Sequence, residues 1–233
     1  MSDLAPILPS GVSLAAPVML TLRVAVLATF FSFFAGVGAA WFVARGPFRG
    51  RGIIDALCAL PLVLPPTVLG YYLILLVGRR GLMGPWLAEA GINLMFSWQG
   101  AVVAATVVVF PLIYKAARAA LESVDHSLER AARTLGASEW KVFVRVSLPL
   151  AWRGIFAGTM LAFARGMGEF GATLMLAGNL PGRTQTLALA IYDAFQSGND
   201  AQATLLVAVT SVLCMSVLLL AERLAHCGRR MWS

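Results

Sequence analysis

The chain has 233 residues and a net charge of +7; 59% of its residues are hydrophobic and only 12% are charged. A soluble domain of this length carries about 25% charged residues, so the composition excludes an ordinary soluble protein and predicts one integral membrane domain over residues 1–233. The positive charge does not indicate nucleic-acid binding, because the basic residues follow the pattern of a membrane topology.

Five segments are long enough to cross the apolar core of a bilayer, which needs about 20 helical residues. These predicted spans are 17–44, 53–77, 98–119, 154–177 and 203–224. No basic residue precedes the first span, which is longer than the apolar part of a signal peptide, so we expect it to be retained. The segment 178–202 is too polar at its ends to cross and predicts a short amphipathic or re-entrant helix.

The basic residues predict the orientation of these spans. Most of the 18 Lys and Arg residues lie in the loop after the first span, between the third and fourth spans, and at the C-terminal end. The opposite side carries only Arg79, Arg80 and Arg183, while Arg23 lies inside the first span, near enough to its outer end to snorkel. The positive-inside rule therefore predicts an external N-terminus, a cytoplasmic C-terminus and a cytoplasmic segment at 121–149.

The second predicted span contains three prolines, including the adjacent pair Pro65 and Pro66 followed by Thr67. Each proline removes a backbone donor, and in lipid the freed carbonyls are tolerated only where protein or water meets them. We therefore name these three residues as candidates for lining a translocation path. A helix that is merely kinked for packing is the alternative.

The fourth predicted span contains a second set of candidates. Arg165 and Glu169 are four residues apart, so they share a helix face and can pair. Charges at membrane depth usually face a protein interior or a cavity. The two residues are therefore either a structural ion pair or part of the wall or gate of a polar path. Gly171 and Thr173 follow in a glycine-rich stretch that permits close approach or a break.

The sequence shows no catalytic chemistry. It contains no G-x-x-x-x-G-K-[ST] phosphate loop, and its only lysines are Lys115 and Lys141. The two histidines, His126 and His226, are too far apart in sequence to indicate a metal site, and the three cysteines lack metal-type spacing. We therefore expect neither an enzyme nor a cofactor or metal site in this chain.

Within the cytoplasmic segment, the sequence predicts two short helices. Ser127 is positioned to cap the first helix, and Gly136 to end it in a left-handed conformation. Ser138 is positioned to cap the second helix, which presents Trp140 on an apolar face. Pro149 then begins the next span at a position where its missing donor has little consequence.

This arrangement resembles the coupling motif of permease subunits in binding-protein-dependent ABC importers. That motif is Glu-Ala-Ala, three residues, Gly, nine residues, Ile, one residue and Leu-Pro. Here Ala131 and Ala132 precede Gly136 by the same interval, and Val146 follows Gly136 after nine intervening residues, before Ser147 and Leu148-Pro149.

Two positions depart from the family pattern. Arg130 stands where the family often has Glu, with Glu129 just before it, and Val146 replaces Ile. The resemblance implies a short cytoplasmic helix that docks in a groove of an ATPase subunit. The implied docking residues are Glu129, Ala131, Ala132, Leu135, Gly136, Ala137, Ser138, Trp140 and Pro149.

Three further stretches are similar to molybdate permease subunits of this family: PLVLPPTVLGYY, GRRGLMG and ARGMGEFGATLMLAGNLPGRTQTL. The resemblance implies an all-α, type I importer permease in the bacterial cytoplasmic membrane. It also implies a homodimer of permeases, an ATPase subunit that holds ATP and Mg, and an external molybdate-binding protein. Sulfate, thiosulfate or tungstate permeases are the alternatives within the family, and an ion-gradient secondary transporter is the alternative of another class.

Overall fold

A computed structural model describes residues 14–45 and 50–230, without the side chains of 220–222 and 224–230. Throughout those ranges the regular structure is helical. The helices are α1 (Ala15–Arg45), α2 (Arg51–Val63), α3 (Pro66–Val77), α4 (Gly84–Glu89), α5 (Trp98–Glu122), α6 (His126–Thr134), α7 (Glu139–Val142), α8 (Leu148–Met167), α9 (Gly171–Ala177), α10 (Leu187–Gln196) and α11 (Asp200–Arg230). Four helical segments in the described ranges can cross a membrane, or five if α2 and α3 form one bent span.

The second predicted span is not one straight helix. Helices α2 and α3 are bent by 115° at the break between them. Leu64 is extended, with φ −72° and ψ 142°, because the residue before a proline is disfavoured in the helical region. Pro66 can then start α3, where its missing N–H removes no helical hydrogen bond.

The fourth predicted span is also displaced. It was expected at 154–177, but helix runs without interruption from Glu139 to Met167 and then breaks before α9. The second short helix of the cytoplasmic segment is therefore continuous with the membrane helix. A π-helical turn, Phe143–Ser147, joins α7 to α8. It accommodates Pro149, which cannot donate to the carbonyl four residues earlier.

Helices α1 and α5 form the centre of the bundle and run in the same direction. The Arg23 guanidinium lies 3.7 Å from the centre of the Trp98 ring near the start of both helices. Further along, a β-carbon on Gly36 would lie 3.1 Å from the backbone nitrogen of Tyr114. Small residues such as Ala28 are fully buried between the two helices, which allows this close packing. Arg23 thus has an aromatic partner that the sequence did not predict.

Helix α10 confirms the short helix expected in 178–202. It packs beside the first turns of α1, at the end of the bundle away from α6 and α7. Thr21 fixes this contact, because its hydroxyl accepts from the Leu187 N–H at 2.8 Å and donates to the Pro17 carbonyl at 2.8 Å. We call the end of the bundle that bears α6 and α7 the coupling end, and the opposite end the far end.

Apolar surfaces on several helices remain uncovered by the described chain. One is a row of aromatic rings on α1, where Phe30, Phe31 and Phe34 are each more than half exposed. Another is α11, which is long and apolar, but few of its residues between Asp200 and Leu219 are fully buried. Lipid or another protein chain must therefore cover these faces.

Candidate coupling segment and translocation path

Helix α6 begins at a cap that differs from the predicted one. The Asp125 carboxylate, rather than Ser127, caps the helix by accepting from the Ser127 backbone N–H at 2.8 Å. This hydrogen bond holds the pKa of Asp125 below its usual value. The prediction was wrong because Asp caps as well as Ser does, and it stands two residues earlier.

The turn after α6 has the predicted left-handed glycine. Gly136 has φ +80°, its N–H donates to the Arg133 carbonyl, and the next N–H, of Ala137, donates to the Ala132 carbonyl. These two bonds are those of a Schellman motif, which satisfies the last carbonyls of a helix. Leu135 stands at the tip and is 88% exposed. The segment thus presents an apolar side chain on a fixed turn.

Helix α7 has the predicted cap. The Ser138 hydroxyl accepts from the Lys141 N–H at 3.4 Å. Trp140 is 61% exposed, yet one side of its indole packs against the chain. Its ring centroid lies 5.8 Å from that of Trp41 and 5.6 Å from that of Phe143. This aromatic cluster joins α7 to the last turns of α1.

Glu139 of α7 links this helix to α1 and α6 through ion pairs. Its Oε2 lies 2.6 Å from Arg45 Nη1 at the end of α1, and its Oε1 lies 2.8 Å from Arg133 Nε on α6. Arg45 also donates to the Glu139 backbone carbonyl at 2.8 Å. Glu139 raises the pKa of Arg133, which therefore stays charged. Sequence reasoning missed Arg45 and Glu139, because 94 residues separate them.

Glu129, predicted to contact the ATPase, turns toward its own chain. Its carboxylate accepts from the Ser147 hydroxyl in the π-helical turn and lies 3.5 Å from Arg133. Its side chain is only 15% exposed. Of the other predicted docking residues, Ala131, Gly136, Ser138 and Pro149 are exposed, and Ala132 and Ala137 are half-buried. Glu129 is thus placed to hold α6 against the base of α8.

A second ionic cluster ties α2 to the coupling end of α5. Asp55 accepts from the Tyr114 hydroxyl at 2.9 Å and lies 3.1 Å from Lys115 Nζ. Arg118 pairs with both Asp55 and Glu122. No motif in the sequence predicted this cluster.

The candidate path residues converge where two helix breaks meet. A β-carbon on Gly171, at the start of α9, would lie 2.9 Å from the Pro66 Cβ and 3.4 Å from the Thr67 nitrogen, at the start of α3. One turn further, a β-carbon on Gly70 would lie 2.6 Å from the Met175 Cβ. Helices α3 and α9 therefore run side by side in the same direction from their breaks. Pro65 and Thr67 are exposed at this point.

Arg165 and Glu169 form the predicted pair across the break after α8. Arg165 Nη1 lies 3.0 Å from Glu169 Oε2, and the two side chains are 40% and 2% exposed. Glu169 Oε1 also accepts from the Ala172 N–H at 3.0 Å, so the carboxylate caps α9. Thr173 is buried, and its hydroxyl has no partner among the described residues. The geometry is that of a structural ion pair, although the Arg165 side chain remains accessible to solvent.

A known protein family matches most of the chain. The profile described as "Binding-protein-dependent transport system inner membrane component" matches residues 32–226, so the chain belongs to this family of membrane transport proteins. The chain is 48% identical over 214 residues to the molybdenum transport system permease protein ModB of Escherichia coli K12, covering 91% of this chain and 93% of the relative. The ModB protein of Haemophilus influenzae is 44% identical, over 88% of this chain and 91% of the relative.

The chain is also similar to a sulfate permease and to solved transporter structures, at lower sequence identity. The sulfate transport system permease protein CysT of Escherichia coli K12 is 36% identical, over 86% of this chain and 72% of the relative. The fold matches the inward-facing methionine ABC transporter MetNI with a TM-score of 0.71 at 19% identity, over 92% of this chain and 95% of that one. A bacterial alginate ABC transporter matches with a TM-score of 0.75 at 17% identity, over 93% and 78%. These two structures support the fold alone.

Proposed function

We propose that this chain is the permease subunit of an ATP-driven importer that moves molybdate across the bacterial cytoplasmic membrane. The observation that carries the proposal is the 48% identity, over almost all of both chains, to a molybdenum permease. The shorter and weaker match to a sulfate permease favours molybdate over sulfate. An ion-gradient transporter is not supported, because the family is one of binding-protein-dependent systems.

The coupling end is the cytoplasmic end in this proposal, and the N-terminus lies outside. Supporting this orientation, the described basic side chains of Arg45, Lys115, Arg118 and Arg133 all lie at that end. A separate ATPase subunit, which holds ATP and Mg, would dock on the exposed tip formed by Leu135 and Gly136.

Movement at the docking tip has a direct route into the membrane. Glu139 and Trp140 fasten the tip to α1, and the same helical segment continues from Glu139 to Met167. At 1.5 Å per residue this segment is about 43 Å long and ends at the break beside Glu169. Closure of the ATPase dimer would therefore shift the break where α9 meets α3. This is a two-state element that both ATP and substrate can bias.

A second permease copy completes the path. The aromatic row on α1 and the bare face of α11 are large enough apolar surfaces to require lipid or a partner chain. We propose a homodimer that receives its solute from an external molybdate-binding protein. The path between the copies carries little fixed charge, because Arg165 is neutralised by Glu169 and the exposed hydroxyl of Thr67 supplies a dipole. Thr173, also predicted to line the path, is buried within the chain. A dianion can then pass without being trapped, and selectivity lies with the binding protein.

The test is uptake into vesicles that contain this chain, the ATPase and the binding protein. Radiolabelled molybdate should accumulate with ATP and stop accumulating when the ATPase is inactivated. Competition by excess tungstate, sulfate or thiosulfate ranks the alternatives within the family. Uptake of sulfate in preference to molybdate would overturn the substrate assignment, and ATP-independent uptake would overturn the mechanism.

A further inference from the structure

A cavity of about 510 Å³ opens at the far end of the bundle, between the end of α3, the loop before α5 and the loop after α9. Its lining includes three arginines, Arg79, Arg80 and Arg183. These are the three basic residues that the positive-inside pattern placed on the outer side. The first two are more than a hundred positions from the third in sequence, yet the fold brings them to one concave site.

Among the described residues that line the cavity, no carboxylate balances this charge. The residues that line the cavity include no Asp or Glu; Asn93 is the one uncharged polar side chain among them. Within the part of the chain that the structure describes, none of the three guanidinium groups has an ion-pair or hydrogen-bond partner. The remaining side chains of the lining are apolar, and apolar walls focus the field of nearby charges. The cavity is therefore an open, positively charged basin.

The basin lies at one end of the paired helices that carry the candidate path. Ile74 and Leu75 of α3 form part of its lining. The helix runs back from there to Pro66, roughly 12 Å away at 1.5 Å per residue. Phe96, another lining residue, is held against α9, because its N–H donates to the Leu176 carbonyl at 3.2 Å. The helices lining the basin thus lead to the breaks at Pro66 and Gly171.

We propose that this three-arginine basin is a binding site for a tetrahedral oxyanion, occupied transiently between delivery and passage. The inference rests on the proposed import function and adds a site on the permease itself. Guanidinium groups match oxyanion geometry, and three of them suit a dianion. The basin is open to water, so binding is weak enough for release. At a separation of about 5 Å in water-like dielectric at physiological salt, each arginine contributes roughly fourfold to affinity.

The competing occupant is an acidic side chain of a docking protein. A concave basin with apolar walls favours a small hydrated ion, because enclosure on several sides brings all three charges within reach of one ion. A protein carboxylate carries a single negative charge and would leave part of the positive charge of the basin uncompensated. We therefore argue for the free anion, and the experiment separates the two occupants.

The experiment measures equilibrium binding of radiolabelled molybdate and sulfate to the assembled permease–ATPase complex at physiological ionic strength, with no binding protein present. Arg183→Gln should weaken binding about fourfold, and the triple change Arg79→Gln, Arg80→Gln, Arg183→Gln should reduce it below detection. The triple change to Lys keeps the charge and should retain most of the binding. Arg223→Gln, which removes an exposed positive charge elsewhere, is the matched control and should bind as wild type does.

Three outcomes distinguish the possibilities. Undiminished anion binding by the triple Gln variant overturns the site. Normal anion binding by that variant, combined with loss of binding-protein docking, assigns the basin to an acidic partner and also overturns it. Oxyanion binding that is lost in the variant supports the site even if the wild-type complex fails to import molybdate, in which case only the proposed function fails.

Discussion

Gly171 and Pro66 touch so closely that a β-carbon on the glycine would lie 2.9 Å from the Cβ of the proline. Both residues stand at the first position of a helix that follows a break, and the two helices then run together toward the far end. The contact makes the two breaks one structural unit. A change at either break should therefore be transmitted to the other.

Gly171→Ala should disturb this unit. The added methyl group must displace Pro66 or Thr67, and overpacking of this kind costs about 1–3 kcal/mol. We expect lower thermal stability of the purified complex and reduced uptake. Gly168→Ala is the matched control, because its β-carbon would meet only the Arg165 carbonyl at 3.9 Å and its φ is −95°. Equal effects of the two changes would argue against the contact.

Gly136→Val should uncouple transport while leaving membrane insertion intact. The glycine has φ +80°, where a branched residue is strained by about 1–2 kcal/mol, although no atom lies within 4 Å of the β-carbon position. The measurement is ATP hydrolysis and uptake by the same reconstituted sample. Gly136→Asn, which tolerates the left-handed region, should retain most of the uptake. Full uptake by the Val variant would remove the turn from the coupling role.

Leu135→Asp should weaken docking of the ATPase without weakening the fold. The side chain is 88% exposed and belongs to no core cluster, so its loss leaves the described chain intact. We expect the ATPase to be lost on co-purification while the amount of permease in the membrane stays unchanged. Leu82→Asp is the control, because Leu82 is 79% exposed at the far end. Loss of the ATPase with the control variant would show a general defect.

Variants of Arg165 and Glu169 distinguish a structural role of this ion pair from a role in lining the translocation path. Arg165→Ala leaves a carboxylate that is 2% exposed without its cation, which should cost about 1–3 kcal/mol and lower the protein's abundance. Glu169→Gln keeps an acceptor for the Ala172 N–H and should be milder. Combining the two changes should restore abundance above that of Arg165→Ala alone.

The readout for this pair is the amount of folded permease, set beside the rate of uptake. A charge swap should not rescue abundance, because Glu169→Arg leaves no acceptor for the Ala172 N–H. Normal abundance of both single variants with loss of uptake would instead assign the pair to the wall of the path.

The local predictions succeeded where one residue type fixes the backbone. The left-handed turn at Gly136 follows from the lack of a β-carbon, the cap at Ser138 follows from its hydroxyl, and both are present. The span boundaries failed at the prolines and glycines. Hydropathy locates apolar length, but it does not show that Pro65 and Pro66 turn the chain by 115° or that helix continues through Pro149.

By itself, the sequence determined the membrane class, the approximate number of spans, the asymmetry of charge and the glycine-hinged segment, because each depends on composition or on residues close together in the chain. Only the tertiary structure decided which distant residues meet. Glu139 with Arg45, Gly171 with Pro66, and the shared basin of Arg80 and Arg183 depend on how helices pack, and packing depends on shape and contact across the whole bundle. No periodicity in one segment encodes such contacts.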